Sequence, residues 1–205
     1  PAPLGDFSYL WPFWVAAAFG YLLGSIPFGL VLTRLAGLGD IRKVGSGNIG
    51  ATNVLRAGNK GLAALTLLLD GGKGAVAVLL ASMYGPDTAV LAGGGAFIGH
   101  LFPIWLKFNG GKGVATFLGV MLAINWPSGS LCCLTWLVVA QLLRYSSVAA
   151  LVAALAGPGY AYYFGNWQIM ELAAFMTLLV FIRHHQNIRR LIKGEEPKIG
   201  TKKST

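Results

Sequence analysis

The chain has 205 residues, of which 55% are hydrophobic and 11% are charged, and its formal net charge at pH 7 is +9. Soluble proteins carry about 25% charged residues, so this composition argues against a soluble domain and favours an integral membrane protein. The apolar runs are continuous rather than alternating, which favours spanning helices over a β-barrel. The basic residues lie mainly between these runs, next to anionic headgroups, so we expect no nucleic-acid partner.

Seven apolar runs predict an all-α integral membrane protein with seven transmembrane helices. Pro27 should kink the first run, and Asp70 to Gly74 should interrupt the second. A turn is expected from Trp126 to Gly129, and a short helix from Ala51. The predicted spans are residues 11–36, 61–84, 88–106, 114–126, 131–143, 148–164 and 170–182. The chain is interpreted as one membrane-embedded domain, 1–205, with a flexible basic tail at about 193–205.

Basic residues are divided unequally between the two sets of loops. The loops at 85–87, 126–130 and 165–168 contain no lysine or arginine, whereas the alternate loops contain many. The positive-inside rule therefore places the amino terminus outside and the carboxyl terminus in the cytosol. Lys73 is ambiguous in this assignment.

Three polar clusters then fall on the cytosolic side, at residues 46–56, 100–116 and 184–190. A channel would distribute polar groups along a pore, and a transporter would place them near mid-membrane. Clusters at one interface suit a reaction between a lipid-borne group and a water-soluble substrate. A transporter of a phosphorylated solute is the alternative class.

The turn Gly110-Gly111-Lys112-Gly113 precedes the apolar run that begins at Val114. Glycines allow close approach of the backbone to a ligand, and the first N–H groups of a helix have no partners within it. With the Lys112 ammonium they would form a phosphate site, although the spacing is not that of a Walker loop. The alternative is a glycine-rich interfacial turn with a snorkelling lysine.

Further residues of the three clusters suit phosphate and hydroxyl binding. His184 could act as a general base near neutral pH or merely cap a helix, and His185 is the competing choice. Candidate catalytic residues are Ser46, Lys112, His184 and Asn187; candidate substrate-binding residues are Arg56, Asn48, Thr52, Asn53, Gly110, Gly111, Gly113, Thr116 and Arg190. No cluster has metal-ligand spacing, so we expect neither a metal nor a cofactor.

Asp70 and Lys73 lie one helical turn apart and should form an ion pair. Such a pair inside a membrane either fixes packing or serves function, and the sequence leaves both open. His100, at the edge of a span, is expected to be a packed, hydrogen-bonded histidine. The adjacent Cys132 and Cys133 cannot link distant segments.

The stretches Ser46–Arg56, Gly99–Thr116 and His184–Leu191 resemble, in this order, the three motifs of the bacterial acyl-phosphate:glycerol-3-phosphate acyltransferases, the PlsY family. The resemblance runs essentially end to end and includes Gly24–Phe28 in the first span. It implies a seven-helix inner-membrane enzyme whose active site faces the cytosol. Its partners would be acyl phosphate, glycerol 3-phosphate and membrane lipid.

The resemblance also implies the reaction, which is transfer of a fatty acyl group from acyl phosphate to the 1-position hydroxyl of glycerol 3-phosphate. The products would be lysophosphatidic acid and phosphate, in the first step of phospholipid synthesis. By position, the motifs give functional roles to Ser46, Arg56, Lys112, His184 and Asn187. Either His184 or the leaving phosphate would take the proton of the attacking hydroxyl.

Overall fold

The computed structural model describes residues 7–200, with side chains from residue 10 onward. In this range the chain forms ten α-helices and two short 3-10 turns. The helices are α1 Phe7–Gly24, α2 Phe28–Leu35, α3 Ala51–Arg56, α4 Lys60–Ser82, α5 Pro86–Leu101, α6 Val114–Ile124, α7 Trp126–Leu143, α8 Ser146–Phe164, α9 Trp167–Arg183 and α10 His185–Ile192. The all-helical prediction is confirmed for these residues.

Within the described range, five stretches are long and apolar enough to cross a membrane. They are Leu10–Leu35, Lys60–Ser82, Pro86–Leu106, Trp126–Leu143 and Ser146–Phe164. The other two predicted spans correspond to α6, of 11 residues, and α9, of 17 residues. The count of seven crossings and the orientation of the termini therefore stay predictions.

The kink expected at Pro27 is a complete break between α1 and α2. Proline has no N–H to continue a helical ladder, so carbonyl groups of the preceding turn need other donors. The Lys73 ammonium from α4 donates to the Ile26 carbonyl at 2.8 Å. A buried lysine thus stabilises the interruption of the first span.

Two predicted irregularities are wrong. Asp70 to Gly74 does not interrupt the second span, because α4 is continuous from Lys60 to Ser82. In apolar surroundings the helix satisfies its own backbone groups, and this outweighs the low helix propensity of glycine. Trp126 to Gly129 forms the first turn of α7 and not a loop, since the Asn125 side chain accepts the Ser128 N–H at 3.1 Å as an N-cap.

Small residues allow the helices to pack closely. Gly20 and Gly24 of α1 lie directly against the backbone of Ala92 and Ala96 in α5. Helix α6 packs against α4, α5 and α7, and its Phe117 belongs to the largest core cluster. The loop that precedes α6 is therefore held at the centre of the bundle.

The carboxyl-terminal tail is not free in the part that the structure describes. Residues 193–200 fold back on the bundle, where Glu196 is buried and the Ile199 N–H donates to the Arg144 carbonyl at 2.6 Å. The buried carboxylate attaches these residues to the bundle, and the flexibility expected from residue 193 stays a prediction. Residues 201–205 lie outside the described range.

Candidate active site

The three polar motifs meet around one cavity of about 310 Å³. It lies where α3, the amino-terminal ends of α6 and α8, and the junction of α9 with α10 come together. All four predicted catalytic residues and five of the predicted substrate-binding residues line it: Ser46, Lys112, His184, Asn187, Asn48, Thr52, Asn53, Arg56 and Gly113. The remaining four, Gly110, Gly111, Thr116 and Arg190, do not line the cavity.

Asn53 organises the first motif. Its Oδ1 accepts hydrogen bonds from the Ser46 N–H at 2.9 Å and the Ser46 hydroxyl at 3.2 Å. Its Nδ2 lies 2.9 Å from the Asn48 carbonyl and 3.0 Å from the Ile41 carbonyl. A side chain with this many internal partners fixes a loop. Here the Asn53 side chain holds Ser46 at the cavity wall, which Arg56 at the end of α3 also lines.

Gly113 caps α6 with φ +85°, a left-handed conformation that favours glycine. In the described part of the chain, the N–H groups of Lys112, Gly113, Val114 and Ala115 have no hydrogen-bond acceptor. These are the free amides expected at a helix start, where the helix dipole also favours an anion. The Lys112 ammonium donates to Asn187 Oδ1 beside them.

The Lys112 ammonium is partly buried among other cations. The pKa of Lys112 is lowered to about 8, mainly by burial and also by the charges of Arg190, Arg56 and Arg183, while Glu196 opposes the shift. An approaching phosphate would favour the charged form and raise the pKa of Lys112. The site is therefore short of negative charge until an anion binds.

Gly110 and Gly111 differ from expectation. Their N–H groups already donate to the Leu101 and His100 carbonyls at 3.1 and 3.0 Å. The free amides consequently begin at Lys112, and these two glycines shape the turn. Thr116 is also engaged, because its hydroxyl donates to the Asp70 carbonyl at 2.8 Å and joins α6 to α4.

His184 is almost fully buried, whereas His185 is exposed. The His184 Nδ1 lies 2.8 Å from the Val180 carbonyl, which assigns the proton to Nδ1 and leaves Nε2 as the free acceptor. Burial lowers the pKa of His184 to about 4, against the hydrogen bond to Val180, and the Lys112 and Arg183 charges lower it as well. The ring is thus neutral at pH 7, and of the two histidines it is the one that lines the cavity.

Glu196 is a site residue that the sequence analysis missed. Its carboxylate accepts hydrogen bonds from Asn187 Nδ2 at 2.6 Å, the Ser147 hydroxyl at 2.8 Å and Arg190 Nε at 2.7 Å. Burial alone would raise its pKa, but these three bonds bring the pKa below its usual value. The carboxylate turns the Asn187 amide so that its oxygen faces Lys112. Glu195 and Glu196 are the only acidic residues after residue 183, in an otherwise basic segment. Their isolation among basic residues was the sequence signal that one of them has a specific partner.

The ion pair expected between Asp70 and Lys73 is present, with 2.8 Å between Oδ1 and Nζ. Asp70 also lines the cavity, as does His100, whose Nδ1 lies 3.7 Å from the Asp70 carboxylate. The sequence left the role of the Asp70–Lys73 pair open and predicted a hydrogen-bonded His100, whereas the His100 Nδ1 is buried without a hydrogen-bond partner among the described residues. Asp70 and His100 line the cavity because α4 and α5 lie close to the loop before α6.

The rest of the cavity is apolar. Leu67 of α4, Leu118 of α6 and Leu137 of α7 line it, together with Trp136. The cavity lining therefore combines polar and cationic side chains with apolar ones, as a substrate with a charged head and a hydrocarbon chain requires. Among the described residues, no group of three or more His, Cys, Asp or Glu side chains converges to hold a metal ion.

A family model described as "Glycerol-3-phosphate acyltransferase" matches residues 14–194. The chain belongs to the glycerol-3-phosphate acyltransferase family. It is similar to curated glycerol-3-phosphate acyltransferases of Brucella anthropi, 60% identical over 91% of this chain and 93% of the relative, and of Mesorhizobium japonicum, 61% identical over 92% and 96%. A third, of Caulobacter vibrioides, is 61% identical over 92% of this chain and 88% of the relative.

Solved structures of PlsY, described as an integral membrane glycerol 3-phosphate acyltransferase, share the fold. The glycerol 3-phosphate form has a TM-score of 0.87 and 37% identity, and it covers 92% of this chain and 96% of that one. The lysophosphatidic acid form has a TM-score of 0.84 and 36% identity over the same shares. The family member described here is accordingly a multi-pass membrane acyltransferase of the PlsY type.

Proposed function

We propose that this acyltransferase moves a fatty acyl group from acyl phosphate to the 1-position hydroxyl of glycerol 3-phosphate. The products are lysophosphatidic acid and inorganic phosphate, in the first step of phospholipid synthesis. The observation that carries the proposal is the cavity itself, whose lining combines the cations Lys112 and Arg56 with apolar side chains. The cations suit phosphate groups, and the apolar side chains suit an acyl chain.

The acceptor would bind at the first and third motifs. Arg56 holds the phosphate of glycerol 3-phosphate, while Ser46 and Asn187 orient its hydroxyls. Asn48, Thr52 and Asn53 complete this side of the pocket. Arg190 does not line the pocket and contributes indirectly, by donating a hydrogen bond to Glu196. Two solved relatives support the assignment, since one is described as a glycerol 3-phosphate form and the other as a lysophosphatidic acid form.

The donor phosphate would bind at the amino-terminal end of α6. The free amides from Lys112 to Ala115 and the Lys112 ammonium stabilise the charge that develops on the carbonyl oxygen and on the departing phosphate. Acyl phosphate is a mixed anhydride with a good leaving group, so the acceptor hydroxyl attacks it directly. No covalent enzyme intermediate and no cofactor are required.

The proton of the attacking hydroxyl has two possible destinations. Neutral His184 offers Nε2, and the departing phosphate offers an oxygen. The low pKa of His184 makes the free enzyme's imidazole a weak base, but two bound phosphates would raise that pKa. Both routes use the same positions of Lys112, Arg56 and Ser46.

The proposed setting is the bacterial inner membrane, crossed seven times, with the amino terminus outside and the active site facing the cytosol. The loops poor in lysine and arginine support this orientation through the positive-inside rule. Cysteine-accessibility labelling tests it: a tag beyond residue 200 should react only from the cytosolic side.

The decisive assay uses purified protein in detergent with synthetic acyl phosphate and glycerol 3-phosphate. We expect phosphate release and lysophosphatidic acid, detected by mass, in equal amounts. Lys112→Gln should reduce turnover by about thirtyfold or more, which corresponds to about 2 kcal/mol of transition-state stabilisation. The matched control is Lys193→Gln, because Lys193 is exposed after α10.

Three results would refute the proposal. The first is turnover with acyl thioesters but not with acyl phosphate. The second is near-normal activity of Lys112→Gln. The third is uptake of labelled glycerol 3-phosphate into sealed vesicles without any lipid product, which would indicate a transporter.

A further inference from the structure

The turn that presents Lys112 is held by an arginine from another helix. Arg183, the last residue of α9, donates from Nη2 to the Gly110 carbonyl at 2.8 Å and from Nε to the Gly111 carbonyl at 3.1 Å. Its guanidinium also stacks over the Phe102 ring, 5.5 Å from the centroid. Arg183 itself does not line the cavity, so it acts on the turn and not on a substrate.

We propose that Arg183 is a positioning residue that fixes the peptide plane between Gly111 and Lys112 and so aims the Lys112 N–H into the cavity. This inference rests on the proposed role of the Lys112 turn in binding phosphate. In a trans peptide the C=O and N–H groups point in opposite directions. Because Arg183 draws the Gly111 carbonyl to one side, the Lys112 N–H points to the other.

The preceding peptide follows the same geometry. The Gly110 carbonyl faces Arg183, and the N–H of the same peptide, that of Gly111, donates to the His100 carbonyl on the opposite side. The His100 ring packs against Gly111, since a Cβ added to this glycine would lie 2.1 Å from Nε2. The turn is thus enclosed between α5 and α9.

Loss of Arg183 would release two carbonyl groups at once. A rotated peptide would present the Gly111 oxygen, with its partial negative charge, where the phosphate needs a donor. Lysine cannot replace the arginine, because a single ammonium lacks the rigid fork that contacts two carbonyls in fixed geometry. The arginine therefore keeps the carbonyl oxygens of the turn away from the anion site and keeps the Lys112 N–H directed into it.

The charges around Lys112 provide a second readout. They come from several elements: Arg56, Arg183, Arg190 and Glu196. The ionisable groups His184, Asp70 and His100 also line the cavity. The charge of Arg183 is one of those that lower the pKa of Lys112, which is about 8. Lys112 must be protonated to bind an anion, so kcat/KM should fall above about pH 8 in the natural enzyme.

The test compares Arg183→Lys, Arg183→Gln and Arg189→Gln in the detergent assay. Arg189 is the matched control, because it is exposed on α10. We expect both Arg183 variants to lose on the order of 100-fold in kcat/KM and to be inhibited more weakly by inorganic phosphate, as misplacement of a catalytic group predicts. The control should behave as the natural enzyme does.

The pH profile of Arg183→Gln separates an effect on Lys112 from a simple loss of folded protein, and for Arg183→Lys the weaker phosphate inhibition makes that distinction. Arg183→Gln removes a charge, so its alkaline limb should move to higher pH. Arg183→Lys keeps the charge, so its limb should stay in place although kcat/KM is low. A simple loss of folded protein would lower the amplitude of both profiles without moving either limb.

Full activity of Arg183→Lys would overturn the inference, and so would natural phosphate inhibition in Arg183→Gln. If Arg183→Gln fails to fold, the lysine variant and its phosphate inhibition decide alone. A fully active Lys112→Gln variant would overturn the proposed function and this inference together. An inactive Lys112→Gln variant with a fully active Arg183→Lys variant would overturn this inference only.

Discussion

Replacement of Glu196 by alanine should destabilise the protein more than any other single change in the carboxyl-terminal segment. The carboxylate accepts bonds from Asn187, Ser147 and Arg190. Removal leaves the Asn187 amide and the Ser147 hydroxyl buried without an acceptor, at about 1–3 kcal/mol each. The Arg190 bond adds less than about 1 kcal/mol, because that side chain is 31% exposed.

The expected loss is therefore about 2–7 kcal/mol of unfolding free energy, a range that includes the cost of breaking other buried charge pairs. For a chain of this size, where each kcal/mol shifts the melting temperature by about 2–4 °C, this corresponds to a melting temperature lower by roughly 4–28 °C. Turnover should also fall at temperatures where the variant remains folded. Asn187 would be free to turn, and the Lys112 ammonium would lose its fixed acceptor.

The assay is thermal unfolding in detergent, followed by tryptophan fluorescence, together with phosphate release below the transition. Glu195→Ala is the control, because Glu195 is exposed and adjacent. Glu196→Gln should lie between, since its carbonyl still accepts from Asn187 and Ser147 while its amide opposes Arg190. Equal melting temperatures for the two alanine variants would refute the reasoning.

Two further predictions concern buried groups. His184 has a pKa of about 4 when folded and about 6.5 when unfolded, so the unfolded chain binds more protons between these values and stability falls as the pH drops from 6.5 to 4. The loss of unfolding free energy should reach about 3 kcal/mol, at 1.36 kcal/mol per pH unit. His184→Gln should remove this pH dependence, which unfolding measured at several pH values checks. Equal pH slopes for the variant and the natural protein would contradict the low pKa of His184. Gly119→Ala places a Cβ 2.0 Å from the Gly71 carbonyl and should cost about 1–3 kcal/mol by separating α6 from α4. Gly72→Ala meets nothing within 4 Å and should instead be neutral or slightly stabilising in the same measurement.

The apolar runs predicted the long helices well, because burial in a membrane favours any continuous apolar segment as a helix. They failed where a polar or glycine-rich stretch interrupts the run, as at Asp70 to Gly74. Whether such a stretch stays helical depends on which helix packs against its glycines, and the local sequence does not reveal that contact. The first turn of α7 was missed for the opposite reason, since a proline early in a helix was interpreted as a loop.

The candidate site was predictable where it consists of motifs. Ser46, Lys112 and His184 stand in three stretches of sequence that are dense in polar groups, and the cavity contains all three. Glu196 and Arg183 were not predictable in the same way. Their roles depend on hydrogen bonds to residues that are far away in the sequence. Glu196 binds Ser147, and Arg183 binds Gly110.

The shortness of α6 determines how deep the reaction lies. Its 11 residues extend about 16 Å, roughly half of a hydrocarbon layer about 30 Å thick. Beyond its carboxyl end stands the exposed Trp126, and Trp167 at the start of α9 is also exposed; tryptophan is typical of a membrane interface. In the proposed orientation, with Trp126 at the outer interface, the Lys112 turn would lie below the cytosolic headgroups. The proposed acyl donor could then reach the turn from within the bilayer.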